Sequence, residues 1–231
     1  MVRRAYRMGQ SPTLRVCVFD LDGTLADSLR DVAEAFNECL DLLGLPTRPV
    51  EEYRYMVGEG VPKLCERALG GACPWLLPRL IELARPRYGA RVLRHTRPYA
   101  GVPELVSELK ARGARLGVLS NKPHDLTERL TRALWPDGVF EAIQGYDDEA
   151  RRKPDPQYLL RMCAHLGAKT PAQACLIGDT PTDVETARRA AVPFIGVTWG
   201  FRRREDLLAA GAERVLDHPA EVFAALCAEP R

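Results

Sequence analysis

Five short segments of this chain are apolar without alternation, and that feature narrows the fold more than any other: Arg15–Phe19, Arg115–Leu119, Ala142–Gln144, Ala174–Ile177 and Phe194–Val197. A strand with one wet face alternates polar and apolar side chains. Continuous runs rich in β-branched residues predict strands covered on both faces, as in a parallel sheet. Arg214–Leu216 offers a sixth. Parallel strands need crossovers, and helical spacing supplies them. Val102, Leu105, Val106 and Leu109 mark one apolar helix face; Leu126, Leu130 and Leu134 mark another; Leu159, Leu160, Cys163 and Leu166 mark a third. The expected fold is an α/β domain with a doubly wound, Rossmann-like parallel sheet. Right-handed crossovers then align the strand C-termini along the one edge where such sheets bind ligands.

The alternation stops between the first strand and the second, where the spacing is helical throughout. Ser28 and Asp31 have the capping-box spacing ahead of Val32, Phe36, Cys39, Leu40 and Leu43, and Gly44-Leu45-Pro46 ends that helix. Val61, Leu64, Cys65, Ala68 and Leu69 predict a second helix, closed by Gly70-Gly71, and Leu76, Leu77, Leu80, Ile81 and Ala84 predict a third. The reading is a helical domain over residues 26–96, inserted into a core domain of residues 13–25 and 97–231. Hinges are expected near Ala26 and Arg97-Pro98, and a flexible basic tail over residues 1–12.

Composition excludes some partners. With 46% hydrophobic residues and a net charge of +2, the chain can build a core and has no charge bias towards nucleic acid or a membrane surface. No apolar stretch approaches the roughly 20 residues that span a bilayer. The basic start, Val2-Arg3-Arg4-Ala5-Tyr6-Arg7, is followed by no apolar segment and so does not read as a secretory signal. The seven cysteines are scattered, form no C-x-x-C pair and sit mostly in apolar runs. They read as core thiols of a cytoplasmic protein rather than a disulfide framework or zinc site.

Chemistry concentrates after the strands. The first ends in Phe19-Asp20-Leu21-Asp22-Gly23-Thr24. Two carboxylates two residues apart repel unless a cation, a shared proton or full solvation compensates. A later strand ends in Ile177-Gly178-Asp179-Thr180-Pro181-Thr182-Asp183. Thr180 suits a helix N-cap and Pro181 the first helical position, so Asp183 reads both as half of a capping box and as a carboxylate facing the same edge. Asp179 has no capping role to explain it. Acidic groups without histidine or cysteine suit a hard cation, Mg²⁺ above others. Ser120 and Asn121, at the end of the second strand, read as an anion pocket at a helix start. In Arg151-Arg152-Lys153-Pro154-Asp155-Pro156, Pro154 holds Lys153 extended, placing its ammonium to meet a phosphoryl group. Asp155 and Pro156 read as N-cap and first residue of the next helix, and Arg151 and Arg152 as solvated charge.

Taken together, Asp20-x-Asp22-Gly23-Thr24, Ser120-Asn121, Lys153-Pro154 and Gly178-Asp179-x-x-x-Asp183 resemble the four ordered motifs of the haloacid dehalogenase-like hydrolases. The helical insertion resembles that family's small cap. A finer likeness, to phosphoglycolate phosphatases, lies in Val57-Gly58-Glu59-Gly60, Gly101-Val102-Pro103-Glu104-Leu105, Asn121-Lys122-Pro123 and Gly196-Val197-Thr198-Trp199-Gly200. The resemblance implies a Mg²⁺-dependent phosphatase acting on a small phosphorylated metabolite, with 2-phosphoglycolate the first candidate. It implies Asp20 as covalent nucleophile and Asp22 as general acid and then base. Ser120, Asn121 and Lys153 would hold the phosphoryl group. Asp20, the carbonyl of Asp22 and Asp179 would hold the metal, with Asp183 on the ion or behind it. Arg54, Glu59 and Lys63 are candidate substrate readers in the cap, and the enzyme is expected as a monomer or homodimer.

Rival readings share the fold. A dehalogenase lacks the second carboxylate, which Asp22 supplies here. A sugar phosphomutase, nucleotidase or pyrophosphatase would keep Asp22 and differ in the cap. A phosphonate-cleaving enzyme would need a cap lysine, and Lys63 is the only one. A non-catalytic binding module would be expected to have lost an acidic motif residue.

Overall fold

All five continuous apolar runs, and the short sixth, form strands of one sheet. The computed structural model describes residues 16–71 and 73–227, so the tail expected over 1–12 and the first expected core residues lie outside the described residues. In chain order the first half holds β1 (Val16–Phe19), β2 (Ala26–Asp27), α1 (Leu29–Leu42), α2 (Tyr53–Met56), α3 (Gly60–Leu69), α4 (Leu77–Arg91), β3 (Arg97–Pro98) and α5 (Val102–Ala111). The second half holds β4 (Arg115–Pro123), α6 (His124–Leu134), β5 (Ala142–Tyr146), α7 (Gln157–His165), β6 (Ala174–Gly178), α8 (Pro181–Ala190), β7 (Phe194–Val197), α9 (Arg204–Ala209), β8 (Val215–Leu216) and α10 (Pro219–Cys227).

The sheet order is β5-β4-β1-β6-β7-β8, and every pair is parallel. The chain winds outwards from β1 through β4 to β5, then returns to the other side of β1 for β6. That reversal leaves a crevice at the carboxyl ends of β4, β1 and β6. Phe19 stands opposite Val118 on one side and Ile177 on the other, so the segments after all three strands emerge at one level.

Both faces of the sheet are covered, which is why the strands lack alternation. Cys17 and Phe19 of β1 join Leu116, Val118, Cys175 and Ile177 in a core under α5, α6 and α10. Val16 and Val18 join Ala174 and Leu176 in a second core under α7 and α8. Each fully buried aliphatic side chain contributes about 1.5–3 kcal/mol.

Between β2 and β3 the chain is helical. α1, α3 and α4 pack through buried Phe36, Leu40, Leu64, Leu80 and Tyr88. The two crossings into this segment are hydrogen-bonded to each other: Ala26 pairs with Pro98 and Asp27 with Arg97 in a two-residue antiparallel ladder. Asp31 ties the crossings further. Its carboxylate accepts from the amides of His95 (2.9 Å) and Thr96 (2.9 Å) and from the Thr96 hydroxyl (2.6 Å).

The expected capping box of Ser28 and Asp31 is therefore absent. Ser28 occupies the N-cap position of α1 but makes no capping bond, because both side chains have stronger partners elsewhere. Two helix starts also differ. β4 runs to Pro123 rather than Leu119, through buried Ser120, Asn121 and Lys122, so α6 begins at His124 and not beside Ser120. α7 begins at Gln157, with Asp155 accepting the Gln157 amide at 2.9 Å. No helix among the described residues is long and apolar enough to cross a membrane. Cys17, Cys39, Cys65, Cys163 and Cys175 are buried and unpaired.

Candidate active site

The crevice collects the acidic residues of two strand ends. After β1 the chain folds back tightly, with the amides of Leu25 and Ala26 both donating to the Leu21 carbonyl. Gly23 has φ 91°, and a methyl group there would overlap the Asp179 carboxylate, so glycine serves both the turn and the close approach. Asp20 and Asp22 are buried in consequence. From β6, Asp179 is fixed by the Thr24 hydroxyl on one oxygen (2.9 Å) and the Phe201 amide on the other (2.8 Å). Asp183 is both things its sequence position suggested. It completes a capping box with Thr180, and its second oxygen faces the crevice. Carboxylate oxygens of Asp20, Asp179 and Asp183 lie within 4.8 Å of one another.

Lys153 reaches this cluster from the loop before α7. Its ammonium lies 2.8 Å from Asp20 and 2.6 Å from Asp183, and donates to the Leu119 carbonyl at 3.2 Å. Burial alone would lower the lysine, but the Asp183 and Asp20 carboxylates outweigh it and hold the ammonium charged well above its ordinary range. Asp20 is raised well above the carboxylate range by burial, with Lys153 opposing and the carboxylates of Asp183 and Asp179 adding to the rise. Asp179 is pushed up to about 7 by burial and by Asp183, against the Phe201 amide and the Thr24 hydroxyl.

The charges do not balance. Asp20, Asp22, Asp179 and Asp183 are four buried carboxylates, and the ammonium groups of Lys122 and Lys153 are the two buried cations paired with them. Were all four ionised, two negative charges would lack a counter-ion, and that repulsion adds to burial in raising Asp20 and Asp179. A divalent cation with a preference for oxygen fits that excess and that donor set.

Beside the acidic cluster, Ser120 and Asn121 line a cavity that also borders Asp20 and Asp22. Asn121 is locked by three bonds: its amide donates to the carbonyls of Gly58 and Lys153 at 2.9 Å each, and its oxygen accepts from the Lys153 amide at 2.8 Å. The asparagine thereby fixes both the lysine loop and the Gly58 turn of the insertion. The cavity holds about 40 Å³ of free space, against about 10–15 Å³ for one water. It admits a small anion, and it shares Val61, Tyr88 and Pro123 with a larger cavity of about 800 Å³ that Arg85, His124 and Arg129 also line.

Among the sequence candidates, Asp20, Asp22, Ser120, Asn121, Lys153, Asp179 and Asp183 come together at this edge. Arg54, Glu59 and Lys63 do not line the cavity. Lys63 pairs with Glu66 at 2.9 Å, Glu59 with Arg67, and Arg54 with Glu51 at 2.6 Å while donating to the Gly200 carbonyl at 2.7 Å. Arg151 pairs with Asp148 at 3.3 Å and Arg152 with Glu149 at 2.7 Å.

Sequence reasoning overlooked three residues around Asp22. The Lys122 ammonium lies 2.8 and 2.9 Å from its two oxygens, the Ser28 hydroxyl donates to it at 2.6 Å, and the Tyr88 hydroxyl bonds Lys122. Asn121-Lys122-Pro123 carried a family likeness but no role for the lysine, and nothing in the sequence pairs it with Tyr88.

The family model for haloacid dehalogenase-like hydrolases matches residues 14–191. The phosphoglycolate phosphatase of Aquifex aeolicus is 34% identical over 81% of this chain and 86% of its own. A solved protein of Lactobacillus delbrueckii subsp. bulgaricus superposes with TM-score 0.88 at 28% identity, covering 94% of this chain and 100% of its own. The solved CbbY of Rhodobacter sphaeroides, in complex with phosphate, superposes with TM-score 0.76 at 27% identity, covering 93% of this chain and 99% of its own.

Proposed function

We propose, on the premise that this chain belongs to the haloacid dehalogenase-like hydrolase family and is a phosphoric monoester hydrolase, that it converts 2-phosphoglycolate to glycolate and phosphate. One observation carries this reading. Three carboxylates lie within 4.8 Å of one another with a lysine bonded to two of them, and one of the three, Asp20, borders a small cavity beside Ser120 and Asn121. The Aquifex relative is named for a substrate of this class, a phosphate ester of a short acid.

In this proposal residues 26–96 are a cap that covers residues 13–25 and 97–231. Asp20 is the nucleophile. Burial and the neighbouring carboxylates raise Asp20 in the cation-free site; with a divalent cation bound it would be ionised and need no activating base, so it can attack phosphorus directly, break the ester P–O bond and carry the phosphoryl group as an acyl phosphate. Asp22 protonates the departing glycolate oxygen and then takes the proton of the attacking water, serving both half-reactions from one position. Lys153, Ser120 and the Asn121 amide hold the phosphoryl oxygens as their charge shifts. Asp20, Asp179 and the Asp22 carbonyl would hold Mg²⁺, with Asp183 on the ion or behind it, and the ion would supply the counter-charge that lets a carboxylate approach a phosphate. The insertion excludes bulk water, which strengthens each of these interactions. A reducing cytoplasm suits the free thiols.

Phosphate release across a panel of small phosphate esters tests the reading. The expected result is Mg²⁺-dependent turnover, silenced by EDTA, with kcat/KM for 2-phosphoglycolate orders of magnitude above sugar phosphates, nucleotides and pyrophosphate. A flat profile, or full activity in the chelator, contradicts it.

A further inference from the structure

We propose that Lys122, steadied by Tyr88, binds the carboxylate end of the substrate, so that the enzyme selects phosphate esters whose leaving group is a small acid. The proposal rests on the phosphatase reading above and names the residue that would give it specificity.

Lys122 stands two residues after Ser120 on β4, and both line the same cavity. Its side chain is 1% exposed, which is costly for an ammonium unless anions surround it. The Tyr88 hydroxyl bonds it, and the ammonium also sits 4.7 Å from the Tyr88 ring centroid. Tyr88 belongs to α4 and is itself buried against Phe36, ring centroids 6.0 Å apart, so the insertion holds the lysine from above. The two elements meet only when the insertion lies on the sheet edge.

The rest of the cavity wall decides what this cation is for. The insertion contributes the apolar side chains of Val32, Val57, Val61 and Leu64, together with Gly58, Gly60 and Tyr88. Of the residues lining the cavity, Lys122 alone has a cationic side chain. A sugar or a nucleoside would leave hydroxyl or base donors against valine and leucine with no partner, a cost that discriminates strongly. A single carboxylate on a short apolar stem needs one cation and little else. An ammonium offers three donors. Asp22 takes it with both oxygens, and turning one donor to the substrate leaves the other contact in place.

The test compares 2-phosphoglycolate with 2-phosphoglycolamide, a neutral molecule of nearly the same shape, for the Mg²⁺-loaded enzyme. The readout is the ratio of their kcat/KM values. Loss of a desolvated charge contact is expected to cost about 100-fold or more, so the wild-type ratio should be at least that, and in Lys122→Met it should fall to near unity. Lys122→Arg should keep most of the ratio, and Tyr88→Phe should keep part of it. Should Lys122→Met fail to fold by circular dichroism, Lys122→Gln, which retains a donor for Asp22, carries the same comparison. A wild-type ratio near unity, or a ratio unchanged in the variants, overturns the proposal while the phosphatase reading stands. Turnover of neither ester by the wild type overturns both.

Discussion

Lys153 places its ammonium 2.8 Å from the carboxylate of Asp20, although one lies in the loop before α7 and the other follows β1. The same ammonium lies 2.6 Å from Asp183, so one cation is shared by two buried anions. Removing one partner of a buried pair leaves the other charges uncompensated, at about 3–5 kcal/mol. Lys153→Met should lose that much stability at pH 8, read from urea unfolding, and should also lose phosphatase activity. Unchanged stability would mean that the pair is not formed in solution.

Asp20→Asn should behave in the opposite way towards stability. It removes a carboxylate that burial and the nearby Asp183 and Asp179 carboxylates disfavour in its charged form, so the variant should be at least as stable as the wild type in EDTA. Its turnover should fall by about three decades or more, the usual size of a nucleophile deletion. Parallel measurement of thermal unfolding and phosphate release separates the two effects. Near-normal turnover would contradict the nucleophile assignment.

Metal binding should be linked to pH through Asp179, whose carboxyl is pushed up to about 7 by burial and by Asp183. In the unfolded chain an aspartate titrates near 3.9. Between those values the folded, cation-free protein binds more protons than the unfolded chain, so its stability falls as pH rises through that window. A cation must displace the proton, so its apparent affinity rises over the same range. The Tm increase produced by a fixed Mg²⁺ concentration should therefore be larger at pH 8 than at pH 5.5. An increase independent of pH would contradict the coupling.

Asp31→Ala tests the junction rather than the site. The carboxylate is buried and accepts two amides and a hydroxyl from His95 and Thr96. Leaving such donors without a partner costs about 1–3 kcal/mol each at most, and water entry recovers part of it. A loss of about 2–3 kcal/mol in urea unfolding is expected. A loss under about 0.5 kcal/mol, the ordinary range of a surface change, would mean that the clip does not bear on stability.

Much of this was legible because the chemistry sits beside the strongest structural signals. Asp20, Ser120 and Asp179 each follow a continuous apolar run, and parallel topology alone brings three such ends to one edge. Lys153 was legible through its proline. The partners of Asp22 were not. Ser28 carries a helix-start signature, and its hydroxyl was claimed for capping; only the folded loop shows it bonded to Asp22. Tyr88 lies on a helix whose rotation over the sheet is a tertiary property, so no spacing relates it to Lys122. Arg54, Glu59 and Lys63 drew attention by their charge, yet charge on a helical insertion is most cheaply satisfied by its neighbours, and Glu51, Arg67 and Glu66 do so.

The account stands or falls on covalent transfer to one carboxylate. Quenching a reaction of the Mg²⁺-loaded enzyme with 2-phosphoglycolate during turnover, reducing with borohydride and mapping peptides by mass spectrometry reads it directly. The predicted result is conversion of residue 20 to homoserine, the mark of a reduced acyl phosphate, and its absence without substrate. Turnover with residue 20 unmodified and another side chain carrying the phosphoryl group would contradict it.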